Sequence, residues 1–122
     1  MAKNTPKDMI TDYDKGTDAL VIHREGARSS GSIELGDIII DLDQKGEVVG
    51  LEFLQAAKQL TSLFSQPISK QMLEKITSCA MKTKHVGKNV FVTIELAMAG
   101  HQFEETVIPV PIIEQRLIEA EA

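Results

Sequence analysis

Residues 37–54 read Asp37-Ile-Ile-Ile-Asp-Leu-Asp-Gln-Lys-Gly-Glu-Val-Val-Gly-Leu-Glu-Phe-Leu54, and this stretch predicts a β-hairpin. Apolar side chains recur at every second position in both halves, which is the period of a strand with one buried face. These positions are Ile38, Ile40 and Leu42 in the first half and Val49, Leu51 and Phe53 in the second. Residues 43–46 between the halves form a turn, because Gly46 accepts a positive φ without steric cost.

The length of this turn sets the predicted register of the hairpin. A four-residue loop gives three cross-strand pairs: Leu42 with Glu47, Ile40 with Val49, and Ile38 with Leu51. Both apolar stripes then lie on one face of the hairpin, and a shift by one residue would bury Asp41 instead. We therefore expect the hairpin at the centre of the fold, with its acidic turn in solvent.

The whole chain predicts a single α+β domain, 1–122, with about six or seven antiparallel strands in two sheets or in one strongly bent sheet. Residues 11–58 form a β meander, in which residues 18–23 are a short strand and residues 27–35 are a poorer one. Residues 59–122 complete the core with helical segments and a C-terminal hairpin.

Two short helices are predicted after the meander. The first follows Phe53, where apolar spacing changes from strand-like to helical, and it ends before Pro67. Ser69 is expected to cap the second helix, whose apolar face holds Met72, Leu73 and Ile76.

A second hairpin and both chain ends complete the expected fold. Residues 79–86 are extended, residues 90–98 form a strand, and residues 99–100 form a two-residue turn. This turn gives two cross-strand pairs: Leu96 with Phe103, and Val92 with Val107. Residues 1–10 are expected to fray, and residues 112–122 suit a short C-terminal helix.

The first half contains four segments in a particular order: Tyr13-Asp14, Asp-Ala-Leu-Val-Ile at 18–22, Ile-Ile-Asp-Leu-Asp at 39–43, and Gly-Glu-Val-Val-Gly-Leu-Glu-Phe-Leu at 46–54. Over about residues 11–58 this order resembles a small prokaryotic family catalogued as domain of unknown function 2283. The resemblance implies a small β-rich domain without an assigned activity, and it transfers no catalytic residue. Val21 stands where the family has an aromatic residue, and Gln55 stands where an Asp or Asn helix cap is expected.

Composition limits the function classes. The net charge is −5, and residues 1–61 hold 11 acids against 7 bases, which argues against a general nucleic-acid binder. Cys79 is the single cysteine and has no partner for an internal disulfide, so we expect a reducing cytoplasm. The sequence has neither a signal peptide nor an apolar run of roughly 20 residues, so no membrane partner is expected. A chain of 122 residues favours a homo-oligomer, with a dimer preferred.

The acidic turn of the central hairpin is the sharpest candidate metal site. Asp41, Asp43, Gly46 and Glu52 match positions 1, 3, 6 and 12 of a calcium-binding EF-hand loop. However, Lys45 occupies a ligand position, and the flanks alternate as strands do. In the predicted register Glu52 also lies roughly 13 Å from Asp41, at about 3.3 Å per residue. A weak divalent-cation site at Asp41 and Asp43 remains an alternative to a solvated turn.

No local catalytic constellation is predicted, and no cofactor is expected. Cys79 and His85 lie six residues apart on one extended segment, roughly 20 Å at strand rise, so they cannot form a nucleophile and base pair. Cys79 is interpreted as a buried small hydrophobe. His23, His85 and His101 are interpreted as surface residues near strand ends.

Residues 70–88 carry five lysines against one acid, Glu74. These lysines are Lys70, Lys75, Lys82, Lys84 and Lys88. No aromatic platform for bases accompanies them, so they are interpreted as a solvated face, or as a partner for the acidic half of another subunit. The preferred function is a non-catalytic, self-associating protein-binding module. The alternatives are divalent-cation binding at the hairpin and a small enzyme with its site at a subunit interface.

Overall fold

A computed structural model describes residues 9–98 and 100–110 of the chain. Within these residues the α+β prediction is confirmed, with eight strands and two short helices. The strands are Met9–Asp14 (β1), Ala19–Arg24 (β2), Gly31–Leu35 (β3), Ile38–Leu42 (β4), Val48–Phe53 (β5), Ile76–Val86 (β6), Asn89–Met98 (β7) and His101–Val110 (β8). The helices are Ala56–Phe64 (α1) and Lys70–Leu73 (α2). The predictions for residues 1–8 and 112–122 lie outside the described residues. Neither of the two described helices has the length and apolar character needed to cross a bilayer.

The strands form two antiparallel sheets, which is one of the two arrangements predicted from the sequence. The five-stranded sheet has the order β1-β2-β5-β4-β3, and the three-stranded sheet has the order β6-β7-β8. Apolar side chains from both sheets and from α1 form one buried cluster. Its most deeply buried large members include Leu20, Ile40, Phe53, Leu60 and Ile94. The core therefore lies between the inner faces of the two sheets.

The central hairpin is present, but its predicted register was wrong by two residues. Ile38 pairs with Phe53, and Ile40 pairs with Leu51. The Asp43 amide donates to the Glu47 carbonyl at 2.9 Å, which leaves a three-residue loop ending in Gly46 at φ 82°.

The shorter loop is one source of the register difference, and a bulge in β5 is the other. Leu42 pairs with Val48, but Asp41 pairs with Gly50, so Val49 is an extra residue on β5. The loop and the bulge each move the pairing by one residue. An even displacement preserves strand alternation, which explains why the predicted buried face is correct although the pairs are not.

Several boundaries differ from the expectation. Strand β1 was not predicted, and β3 begins at Gly31 instead of residue 27. Ser69 does cap α2, accepting from the Met72 amide at 3.2 Å, but α2 has only four residues. Ile76 opens β6 instead of extending that helix, because pairing with Met98 of β7 satisfies its backbone in an extended conformation.

The predicted pairing of the second hairpin is correct near the turn and is shifted by one residue farther along the strands. Leu96 pairs with Phe103 as predicted, whereas Val92 pairs with Ile108 and not with Val107. An irregularity between Ile94 and Leu96 causes this shift and sets Thr106 opposite Ile94. The Thr106 hydroxyl then donates to the Leu63 carbonyl at 2.9 Å, which fastens β8 to the C-terminal end of α1.

Candidate functional site

The outward-pointing residues of the five-stranded sheet form the most acidic surface defined by the described strands. Alternation sends Leu20 and Ile22 into the core and their strand neighbours to the opposite side. We call this side the outer face; its residues are Ile10, Asp12, Asp14, Ala19, Val21, His23, Ser32, Glu34, Ile39, Asp41, Gly50 and Glu52. It carries five carboxylates and no lysine or arginine. Val21 and Ile39 are half-buried and Ile10 is 38% exposed, so apolar surface is interspersed with the acids.

Asp41 and Glu52 lie beside each other on this face. Asp41 stands opposite Gly50 and Glu52 stands opposite Ile39, so the two carboxylates are diagonal neighbours on adjacent strands. Burial raises the pKa of Asp41 to about 6, and a hydrogen bond with Glu52 and the charge of that carboxylate add to the rise. The sequence-based separation of roughly 13 Å, at about 3.3 Å per residue, was therefore wrong, because it rested on the wrong register.

Gly50 is the residue of β5 beside this pair, and it has no room for a side chain. His23 and Asp41 are its partners on the two neighbouring strands, so the three residues form one row across the sheet. A Cβ added at Gly50 would lie 2.9 Å from the Ile22 carbonyl oxygen and 3.2 Å from the His23 Cβ. Glycine is thus required by the close approach of β2, whose backbone and His23 Cβ occupy the space that a side chain would need.

The turn of the central hairpin uses its acidic residues internally. The Asp43 carboxylate accepts from the Lys45 amide at 2.8 Å and from the Glu47 amide at 2.9 Å. The two predicted metal ligands therefore have different partners, Asp41 with Glu52 and Asp43 with the turn. No group of three or more His, Cys, Asp or Glu side chains suited to a metal ion occurs within residues 9–98 and 100–110.

Tyr13 and Asp18 have a structural role at the start of α1. The Tyr13 hydroxyl donates to Asp18 Oδ1 at 2.7 Å, and the Asp18 carboxylate accepts from the Ala57 amide at 3.2 Å. The Asp18 carbonyl also accepts from the Ala56 amide at 2.8 Å. Gln55 makes no side-chain cap, so Asp18 supplies from a distant turn the cap expected at position 55.

The hydrogen bond from Tyr13 also affects its titration. Burial raises the pKa of the Tyr13 phenol above its usual range, and the hydrogen bond to Asp18 raises it further. Tyr13 therefore stays protonated and holds Asp18 as a hydrogen-bond donor throughout the neutral pH range.

The structure does not bring the candidate nucleophile and bases together. Cys79 is buried on β6, and burial raises the pKa of its thiol to about 12. His85 lies farther along the same strand, exposed, with Nε2 3.5 Å from Glu47 Oε1. His101 is exposed beside Phe103 on β8, and His23 lies on the outer face. The interpretation of Cys79 as a buried hydrophobe is confirmed.

The sequence reasoning missed Gly50, Glu52 and His23 as neighbours of Asp41. One signal was available, because a glycine inside an otherwise apolar strand indicates a bulge or a close backbone approach. Here Gly50 marks both, since the bulge at Val49 precedes it and β2 closes over it.

Comparison with known proteins supports the resemblance stated above. A family model described as "Protein of unknown function (DUF2283)" matches residues 10–56. An uncharacterised protein of Methanocaldococcus jannaschii is 49% identical over 47 residues, which are 38% of this chain and 40% of that relative. The chain thus spans well under half the length of this curated relative. No solved structure matches. Residues 10–56 are therefore similar to a family of unknown function, and residues 57–122 lie outside that similarity.

Proposed function

We propose that this protein is a cytoplasmic, non-catalytic binding module that associates with a second copy of itself through the outer face of the five-stranded sheet. The observation that carries the proposal is the charge complementarity between this face and the β6–β7 hairpin. The outer face has five carboxylates and no lysine or arginine among its residues. The hairpin end carries lysines and no acid from position 84 to position 89.

We call residues 84–89 the basic tip. All six are exposed, including Lys84, Lys88 and the apolar Val86, which is 48% exposed. An exposed hairpin end with cationic and apolar side chains matches a sheet face that combines carboxylates with Val21 and Ile39. Opposite charges would steer the encounter, and the apolar contacts would add affinity.

The assembly that follows is a dimer with reciprocal contacts. Each copy offers one outer face and one basic tip, so a two-fold axis allows both contacts to form at once. Two identical contacts double the area buried, which favours a closed dimer for a domain of this size.

The chemistry of the described residues supports a non-catalytic role. Cys79 is a free, buried thiol with a raised pKa, so it is a poor nucleophile and it suits a reducing compartment. His85 and His101 lie on strands of the other sheet, away from the row formed by His23, Gly50 and Asp41.

Sedimentation equilibrium over a range of protein concentrations tests the proposal. We expect a monomer–dimer equilibrium that shifts to monomer at high salt, because the contact is between partly exposed charges. The double substitution Lys84→Glu and Lys88→Glu should weaken the dimer, whereas Lys58→Glu on the exposed side of α1 should not. Adding Glu34→Lys and Glu52→Lys to the double variant should restore the dimer. A monomer at all concentrations would refute self-association, and a dimer insensitive to the lysine changes would refute the proposed contact.

A divalent-cation site is the second candidate, and one specific observation favours it. The observed register brings Glu52 next to Asp41, so two carboxylate groups are close enough to share one ion. This site would consist of Asp41 and Glu52, because Asp43 is engaged by the amides of its own turn.

A further inference from the structure

A small cavity opens at the edge of the core, where β1 approaches the beginning of β6. It has a volume of about 310 Å³ and is lined by Thr11, Tyr13, Leu73, Glu74 and Ile76. This size is at the lower end of the range of about 300–1,000 Å³ that is typical of small-molecule sites. The cavity lies on the inner side of the five-stranded sheet, so it is separate from the outer face.

At the cavity, strand β1 places polar groups on the side that faces the core, where apolar side chains are expected. Thr11 pairs with Ile22 and Tyr13 pairs with Leu20, and both partners are fully buried core residues. The core-facing side of β1 therefore begins with the apolar Met9 but continues with Thr11 and the phenol of Tyr13, opposite the aliphatic Ile22 and Leu20 of β2. A polar residue at a core-facing position is a local inconsistency of the kind that functional sites produce.

The polar groups of the cavity favour a positively charged hydrogen-bond donor. The Tyr13 hydroxyl gives its proton to Asp18 at 2.7 Å, so its oxygen can only accept from a ligand. Glu74 provides a carboxylate in the lining, and Asp18, Glu74 and Asp14 all place negative charge near the Tyr13 hydroxyl. The aromatic ring of Tyr13 offers a further surface for a cation.

The cation now nearest to Glu74 is held weakly. Lys15 Nζ lies 3.6 Å from Glu74 Oε1, and the two side chains are 52% and 44% exposed. Ion pairs of this exposure contribute about 0–1 kcal/mol, so a ligand can displace Lys15 at small cost. Leu73 and Ile76 also border the cavity, but its surface is mostly polar, so the site suits a cationic head group and leaves a hydrocarbon body in solvent.

From this geometry we infer that the cavity binds a primary alkylammonium group. The ammonium would donate to the Glu74 carboxylate and to the Tyr13 hydroxyl oxygen, and its alkyl chain would extend toward solvent. The same group occurs in free aliphatic amines and in the side chain of lysine. The inference is independent of the proposed self-association, which uses the opposite side of the sheet.

The test is a titration followed by amide chemical shifts in ¹H–¹⁵N spectra, using n-butylammonium chloride as the probe and n-butanol as the neutral control. We expect saturable shifts confined to β1, α2 and the start of β6 with butylammonium and none with butanol. A second arm uses N-acetyl-lysine amide. Saturation by both cations assigns the site to lysine side chains as well, and saturation by butylammonium alone assigns it to free amines.

Two substitutions of exposed residues separate this site from general attraction to an acidic protein. Glu74→Gln should weaken butylammonium binding by about tenfold or more, since it removes a charge-assisted hydrogen bond. Lys15→Gln should strengthen binding by about two- to fivefold, because it removes the competing cation. Glu34→Gln on the outer face is the matched control and should have no effect. The inference would be overturned by chemical-shift changes spread over the outer face, or by an equal response to butanol. Weaker butylammonium binding in the Lys15→Gln variant would also overturn it.

Discussion

The Tyr13 hydroxyl donates a 2.7 Å hydrogen bond to the carboxylate of Asp18, and that carboxylate in turn receives the Ala57 amide at the start of α1. Asp18 has φ 54°, so the β1–β2 turn takes a left-handed conformation at this residue. The turn and the helix are 39 residues apart in sequence. These hydrogen bonds join the first hairpin of the five-stranded sheet to the helix that packs on the core.

Substitutions at these two residues should lower stability through the same contact. Tyr13→Phe should cost about 1–2 kcal/mol in the free energy of unfolding, because Asp18 loses its donor. Asp18→Gly keeps the positive φ but removes the cap, and we expect a loss of about 1–2 kcal/mol. Urea unfolding of both variants and of the double variant measures these costs, with Thr17→Ala in the same turn as the control. Additive losses in the double variant would show that the two residues act independently.

Gly50 should be the strand glycine that least tolerates a side chain. Gly50→Ala places a Cβ 2.9 Å from the Ile22 carbonyl oxygen, and we expect a loss of about 1–3 kcal/mol. Gly31→Ala is the matched control, because a Cβ there has no neighbour within 4 Å, and its effect should stay within about 0.5 kcal/mol. Thermal unfolding of the two variants checks this, and equal melting temperatures would contradict the close approach of β2.

The Asp41–Glu52 pair should make stability depend on pH. The pKa of Asp41 rises from 3.8 to about 6, so the folded state holds this proton more tightly than the unfolded state does. The resulting stabilisation is complete below about pH 4 and is lost as the pH rises through about 6. Asp41→Asn should therefore become more stable than the parent above this window, by on the order of 1 kcal/mol for a solvent-screened pair.

Chemical denaturation at a series of pH values measures this difference. Glu52→Gln removes the neighbouring charge but leaves Asp41 buried, so it should reduce the pH dependence in part, whereas Asp41→Asn removes the contribution of Asp41 altogether. A variant whose stability follows that of the parent at every pH would contradict the coupling of the two carboxylates.

Cys79 should be unreactive in the folded protein. It is 2% exposed, so a reagent cannot reach its sulfur. Burial also raises the pKa of its thiol to about 12, so the reactive thiolate does not form near neutral pH. We expect no reaction with Ellman's reagent at mildly alkaline pH until denaturant unfolds the chain. Thr77→Cys in a Cys79→Ala background places a thiol at an exposed position of the same strand and should react at once. Rapid labelling of native Cys79 would contradict its place in the core.

Calcium and magnesium should bind weakly or not at all. In the part of the chain that the structure describes, no three potential metal ligands are grouped together. We therefore expect no saturable heat in a calorimetric titration and an unchanged melting temperature. Saturable heat that disappears in both Asp41→Asn and Glu52→Gln would establish the second candidate function in place of this expectation.

The alternation of apolar residues was enough to predict which faces of the central hairpin are buried. Ile40 and Leu51 are both fully buried, because strand alternation survives a register change of two residues. The register itself depends on hydrogen bonds that the Asp43 carboxylate accepts from amides of its own turn and on the bulge at Val49. Neither leaves a periodic signal in the sequence, so the pairs could not be predicted from the pattern.

The candidate sites were harder to predict, because they depend on contacts between distant segments. Glu52 approaches Asp41 only in the observed register, and the cavity joins β1 to residues 73–76. The cap of α1 is a similar case, since Gln55 has no capping side chain and Asp18 replaces it from the β1–β2 turn. Strand β1 was missed because two of its three inward positions are Thr11 and Tyr13, which do not mark a buried strand; the third is the buried Met9.

The match to the family model ends at residue 56, where α1 begins. Residues 10–56 contribute a sheet whose inner side includes the fully buried Leu20, Ile40 and Phe53, but the elements packed on that side come from later in the chain. Such a segment cannot keep these side chains from water unaided. We therefore expect residues 10–56 to fold only together with the half that follows, to which Asp18 links them at the first turn of α1.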